Sequence, residues 1–157
     1  MALFNSPDDT TIFLSRSDST EPLSSYSQHG FELEGQFWPT LEHYYQAMKF
    51  SDPDYQQEIR LCETPARANE LGHARKPKRQ KDWKKNRVVM MVRGMYTKCR
   101  TFEEIGEQLL RTGTNQIMEN SQYDYFWGCG RDRLGHNNYG KVLMNIRAKL
   151  NEEKMAR

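Results

Sequence analysis

The order of apolar and polar positions changes period several times along the chain, and each change predicts an element. The first 30 residues are rich in Ser, Thr, Asp and Pro, with short apolar islands at Ile12-Phe13-Leu14 and Leu23. From Gly30 to Trp38 apolar and acidic residues alternate, the period-two pattern of a half-buried strand or hairpin, with Gly35 as its turn. Then the period becomes helical. Thr40 is placed as the N-cap of a helix over Leu41 to Phe50. Asp52-Pro53 and Thr64-Pro65 each read as an N-cap followed by a proline at the first helical position, and Gly72 ends the second of these helices. The longest helical pattern runs from Asp82 to Cys99, with Trp83, Val88, Met91, Val92, Met95 and Tyr96 as its buried face. Thr101 to Glu104 fits a capping box that opens a helix reaching Arg111, with Gly113 as its C-terminal glycine. Ser121 to Gly140 is rich in Gly, Asn and aromatics and predicts an ordered loop. A last helix runs from Asn138 to Leu150, with Val142, Leu143, Ile146 and Leu150 inward. The fold class expected is mainly α: a single compact helical domain over residues 1–157, with a small β-hairpin or short strands near the N-terminus.

Composition narrows the class. The chain has 157 residues, enough for one domain with a real core. No stretch approaches the roughly 18 to 20 apolar residues of a membrane span, and no basic-then-apolar leader is visible at the N-terminus. Three Trp, eight Tyr and seven Phe argue against disorder. The three cysteines, Cys62, Cys99 and Cys129, are odd in number and far apart, which predicts a reduced, cytoplasmic protein. Cys129 and His136 lack a second ligand pair, so zinc is not expected, and GxSxG, P-loop and GxGxxG motifs are absent.

The net charge of +2 hides a strong asymmetry. Residues 1–65 carry 3 basic and 11 acidic side chains, residues 66–100 carry 12 basic and 2 acidic, and residues 101–157 carry 8 of each. Basic density peaks between Arg75 and Arg87. Such a run reads first as a solvated face, and second as a site for phosphate or a nucleic-acid backbone.

Three segments carry candidate chemistry. In Trp38-Pro-Thr-Leu-Glu-His-Tyr-Tyr-Gln-Ala-Met-Lys-Phe50, helical spacing puts Glu42, Tyr45, Gln46 and Lys49 on one face. Spacing alone favours a solvated polar stripe. His43 points about 100° away from Glu42 and reads as structural. In Asp124-Tyr-Phe-Trp-Gly-Cys-Gly130 a carboxylate stands beside Trp127 and two glycines, which suits either a ligand site or an Asx-turn with a core Trp. Asp82-Trp83 reads as a helix cap followed by an aromatic.

Together these pieces resemble the NADAR (NAD- and ADP-ribose-associated) family, and within it the YbiA-like N-glycosidases. The resemblance runs from about Ile12 to Leu150. It rests on the Trp38–Phe50 segment, Asp82-Trp83 with Arg87 and Met90, and Leu110-Arg-Thr-Gly113. It continues through Glu119, Asp124-x-x-Trp-Gly128, Gly135-His-Asn-Asn-Tyr-Gly140 and Leu143-Met-Asn-Ile-Arg147. Two stretches depart from the family pattern. The early Ser-Asn-Phe is Ser24-Ser25-Tyr26 here, and the loop before Asn137 carries Arg131, Asp132 and Arg133 in place of further glycines.

The resemblance implies hydrolysis of a ribosyl C–N bond. The expected substrates are phosphorylated riboflavin-pathway intermediates, 5-amino-6-ribosylamino-uracil phosphate and its diaminopyrimidinone precursor, with ribose 5-phosphate released. It implies Glu42 and Asp124 as catalytic carboxylates and Trp83 as a platform for the heterocycle. Lys49, Asn137 and Trp127 fall in motif positions as substrate ligands, and Arg75, Lys78, Arg79 and Arg87 are the candidates for holding phosphate. No cofactor, metal, membrane or obligate protein partner is expected. Two competing readings are an ADP-ribosyl hydrolase acting on modified nucleobases and a non-catalytic module that binds ADP-ribose or nucleic acid.

Overall fold

A computed structural model describes residues 10–157. The element order is β1 (Ile12–Leu14), β2 (Phe31–Leu33), β3 (Gln36–Trp38), α1 (Leu41–Ala47), α2 (Pro53–Leu61), α3 (Pro65–Gly72), α4 (Trp83–Thr101), α5 (Glu103–Arg111), β4 (Ile117–Glu119) and α6 (Asn138–Met155). The chain is mainly helical with a few short strands, as the sequence predicts. It divides into two compact units, one of Ser17–Ile105 and one of Gly106–Arg157 with the described residues up to Arg16. No helix among the described residues is long and apolar enough to cross a membrane.

The Ser17–Ile105 unit is built around α1. All seven residues of this helix are buried, polar ones included, and it packs on α2, α3 and α4. The solvated stripe expected from spacing is therefore not what forms: three helices pack on this one, and its polar groups must find partners inside. The Thr40 side chain caps it, accepting from the His43 N–H at 3.2 Å. The helix ends at Ala47 rather than Phe50. Lys49 O accepts from Gln80 N at 2.6 Å, and Phe50 pairs with Arg79 in an isolated antiparallel bridge. Strand-like pairing has won over helical continuation there.

In the hairpin, β2 pairs antiparallel with β3, with Phe31 opposite Trp38. The two loop residues Glu34 and Gly35 both have positive φ, 57° and 77°. That backbone matches the twist of the flanking strands and favours glycine. Asp52 and Thr64 cap α2 and α3 as their sequence positions predict, accepting from Asp54 N and Arg67 N.

The buried face of α4 is Trp83, Met91, Gly94, Met95, Lys98 and Cys99. Val88, Val92 and Tyr96 are only half-buried. The face turns toward Gly94 because α1 approaches closely there; a Cβ on Gly94 would lie 2.3 Å from Leu41 Cδ1. Two end assignments change as well. Asp82 sits at the N-cap position, but its backbone is left-handed and its side chain makes no cap bond. The capping box at Thr101 does not form, since Thr101 is the last residue of α4 and its hydroxyl donates to Thr97 O at 2.8 Å.

His43 titration gives a direct test of α1 burial. Its ring nitrogens lie 2.8 Å from Thr40 Oγ1 and 3.0 Å from Cys62 O. Burial holds its pKa below the ordinary histidine value, against the bond to Cys62 and the charge of Glu42. The folded state thus prefers neutral imidazole. At pH above about 6.5 this costs nothing. As pH falls below that, the unfolded chain takes up a proton the folded chain resists, and stability drops. Thermal melts are expected to fall through this window, and His43→Gln to remove part of the slope.

In the other unit, β1 and β4 form a parallel pair, with Ile12 opposite Ile117 and Leu14 opposite Glu119. The partner strand β4 has no counterpart in the sequence pattern. It is three residues long, too short for periodicity to declare itself. α6 buries Val142, Leu143, Ile146 and Leu150 as expected and continues to Met155. It also buries Arg147, whose Nη1 donates to Thr112 Oγ1 at 2.8 Å and Asn115 O at 2.9 Å. Gly113, after α5, has φ +64°.

Candidate functional site

Glu42 lies in the first turn of α1, where the positive helix end favours an anion. It is 0% exposed. Its Oε2 accepts from Ser25 Oγ at 2.7 Å. Its Oε1 accepts from Gln46 Nε2 at 2.7 Å and Asn69 Nδ2 at 3.1 Å. The Glu42 backbone N–H in turn donates to Ser25 O at 2.9 Å, so the Ser24–Ser27 segment and α1 hold each other twice. Three side-chain donors on one buried acid are the environment of a charged carboxylate. Of the three, Ser25 and Gln46 are buried, and Asn69 on α3 is half-buried.

Gly72 lets α3 close on this cluster. A Cβ there would sit 1.9 Å from Gln46 Oε1 and 3.0 Å from Gln46 Cβ. The glycine that the sequence offers as a helix terminator is also needed for close approach. Gly72 O receives long bonds of 3.4 Å from both Lys49 Nζ and Arg79 Nη2. Two cations thus converge on one neutral oxygen. Lys49 is buried, with Nζ 5.5 Å from the centre of the Tyr45 ring. Tyr45 packs at 5.4 Å, tilted 49°, on Trp83, which is 8% exposed. The Phe50–Arg79 bridge brings Arg79 to this place. Arg75 and Lys78 expose their side chains, and Arg87 is half-buried on α4.

Among the sequence candidates, this unit therefore gathers Glu42, Lys49, Trp83 and Arg79 through Gln46, Tyr45 and Gly72. Ser25 stands where the family pattern has an asparagine, but its partner is not legible in sequence, and Asn69 in a helix has no pattern at all; only the fold brings both to Glu42.

The second group lies in the loop between β4 and α6. Asp124 Oδ1 accepts from Phe126 N at 3.0 Å and Trp127 N at 2.8 Å, an Asx-turn. Trp127 is buried and meets the Phe126 ring edge-on at 4.9 Å. Asn137 is spent on β4: Oδ1 accepts from Glu119 N at 2.8 Å and Nδ2 donates to Ile117 O at 2.9 Å. Glu119 organises the loop from within. It is 2% exposed, and its carboxylate accepts from Arg16 N and Ser121 N, each at 3.0 Å. Burial pushes its pKa above the usual carboxylate range, partly offset by those two bonds. Gly128 passes so close that a Cβ would lie 2.3 Å from Glu119 Oε2.

Comparison with known proteins gives one family. The NADAR domain model matches residues 3–151. The chain is 37% identical to the N-glycosidase Npun_R5314 of Nostoc punctiforme, over 82% of this chain and 84% of that one. It is 34% identical to the N-glycosidase YbiA of Escherichia coli, over 93% and 92%. The solution structure of E. coli YbiA superimposes with a TM-score of 0.86 at 33% identity, covering 95% of this chain and 89% of that chain. Riboflavin biosynthesis protein PYRR of Zea mays is 34% identical over 92% of this chain, which corresponds to 26% of that longer protein.

Proposed function

Because the chain belongs to the NADAR family, we propose that it is an N-glycosidase that hydrolyses the ribosyl C–N bond of phosphorylated pyrimidine intermediates of riboflavin synthesis. Its relatives named N-glycosidase support the reaction class, and the maize relative named for riboflavin biosynthesis supports the substrate class. The observation that carries the reading is the buried Glu42 carboxylate with its three donors.

Cleaving such a bond builds positive charge on the ribose ring. Glu42 stabilises that charge and takes the proton from the attacking water; the water oxygen bonds to the anomeric carbon as the C–N bond breaks, the departing nitrogen takes a proton from solvent, and Glu42 returns its own to solvent. Since Glu42 is fully covered, one of its partners must yield. Asn69 is the outermost of the three donors, and the attacking water takes its place on Oε1 in this scheme. Trp83 with Tyr45 offers the flat apolar surface for the heterocycle. Lys49 and Arg79, which both donate to Gly72 O, supply charge-assisted bonds to the 5-phosphate. Asp124 belongs to the other unit. Its Oδ1 holds the turn, and its own substitution, Asp124→Asn, tests whether it also acts on substrate.

The decisive assay mixes the purified protein with each phosphorylated pyrimidine and with its dephosphorylated counterpart. Release of ribose 5-phosphate from the phosphorylated compounds is expected, with the dephosphorylated ones much poorer. Lys49→Met and Arg79→Met should each raise KM for the phosphorylated form about tenfold or more and narrow the preference. No release of ribose 5-phosphate from either pyrimidine would overturn the substrate assignment.

A further inference from the structure

The donor that Ser25 gives to Glu42 is held from behind by a buried lysine. Lys98, on α4, is 0% exposed. Its Nζ donates to Ser24 O at 2.8 Å and to Ser27 Oγ at 2.5 Å, partners 74 and 71 positions away in sequence. Those two acceptors bracket Ser25. Ser24 Oγ donates to Asp18 O at 2.5 Å, and Ser27 Oγ also lies 3.2 Å from Pro22 O and 3.1 Å from His29 Nδ1. The segment has no helix or strand of its own to fix it. Yet it must fix Ser25 to a hydrogen bond's tolerance, because Ser25 meets Glu42 through both its hydroxyl and its carbonyl.

A buried amine is a costly way to hold a loop. Burial pushes Lys98 down to about 7, against the opposing influence of Cys99 and Glu21. An ammonium has three N–H groups and a neutral amine two, so both forms serve two acceptors. The contact therefore does not depend on the charge. What an apolar residue of the same length cannot supply is the pair of directed bonds.

We infer that Lys98 is a positioning residue for the reaction: its two bonds fix the Ser24–Ser27 backbone so that Ser25 presents its hydroxyl to Glu42. The inference rests on the reading of Glu42 as the catalytic carboxylate. It predicts that Lys98 acts on the chemical step and acts through Ser25. Lys98→Met should lower kcat roughly tenfold to a hundredfold, as small misplacements at a reacting group do, with KM nearly unchanged. Ser25→Ala should do the same. In the double variant the losses should not multiply, because each removes the same contact.

The test is a double-mutant cycle in kcat on the full chain, with thermal melts alongside. If Lys98→Met does not fold, Ser27→Ala removes one of the two acceptors and replaces it in the cycle. A lower melting temperature with unchanged kcat, or losses that multiply with Ser25→Ala, overturns the positioning role. Full activity of Glu42→Gln instead overturns the catalytic reading beneath it. An inactive Glu42→Gln with an untouched Lys98→Met overturns the clamp alone.

Discussion

Glu42→Gln is expected to lower kcat about a thousandfold, the scale of losing a positioned acid–base group, and to leave the protein folded with little change in melting temperature. The hydrogen-bond pattern makes the two effects separable. Glu42 Oε1 faces two amide donors, Gln46 Nε2 and Asn69 Nδ2, which can only donate. Glu42 Oε2 faces the Ser25 hydroxyl, which can donate or accept. A glutamine at 42 therefore has one good orientation. Its oxygen takes the Oε1 place and keeps both amide donors, and its NH2 takes the Oε2 place and donates to a rotated Ser25 hydroxyl. Every side-chain contact named survives, and only the charge and the ability to accept a proton are lost. Glu42→Ala is the contrasting case. It leaves the Gln46 and Asn69 donors facing a void, at about 1–3 kcal/mol for each buried group left unsatisfied, so activity and stability fall together. The measurement is ribose 5-phosphate release under saturating substrate, read beside a thermal melt. Turnover by Glu42→Gln within tenfold of wild type would remove Glu42 from the chemistry.

The part of this site that the sequence showed and the part it hid differ for a physical reason. Helix starts at Thr40, Asp52 and Thr64 were legible because a cap is a local interaction, written within three residues. The turn at Gly35 was legible on the same ground. The faces of α1 and α4 were less so. Spacing places residues on a stripe but does not say what covers the stripe, so the polar face of α1 read as solvated when three helices bury it. Gly94 is the clearest instance: with no side chain it adds nothing to an apolar pattern, yet it marks a close approach of α4 to α1. The same blindness hid the contacts of Ser25, Asn69 and Lys98, whose value comes from partners 17, 27 and 74 positions away. Family resemblance supplied Glu42, Trp83 and Lys49, and the structure added the contacts that connect them. For Asn137 the structure supplies a different occupation, since both polar atoms of its side chain serve β4.

Gly140→Ala is expected to destabilise the protein strongly, and its sign runs against propensity. Gly140 lies in the first turn of α6, where alanine would ordinarily gain about 0.5–1 kcal/mol over glycine. Here a Cβ would stand 2.1 Å from Ile117 O, 2.5 Å from Asn137 Nδ2 and 2.7 Å from Asn137 Oδ1. None of these is the loose end of a flexible side chain. Ile117 O belongs to a strand paired with β1. The Asn137 carboxamide is held at both ends, by Glu119 N and Ile117 O, on a residue whose own backbone is left-handed at φ 50°. To admit the methyl group, α6 must shift against β4 and both Asn137 bonds must break. Overpacking costs about 1–3 kcal/mol and two buried hydrogen bonds about 1 kcal/mol each, so the propensity gain is overwhelmed. A net loss near 3 kcal/mol is expected, which for a chain of this size lowers the melting temperature by about 10 °C. Asn137→Ala should destabilise by a similar route, through Glu119 N left buried without its acceptor. If Asn137→Ala instead raised KM while melting like the wild type, Asn137 would be a substrate ligand, as its motif position implies. If Gly140→Ala melted at or above the wild-type temperature, the close packing of α6 on β4 would be refuted.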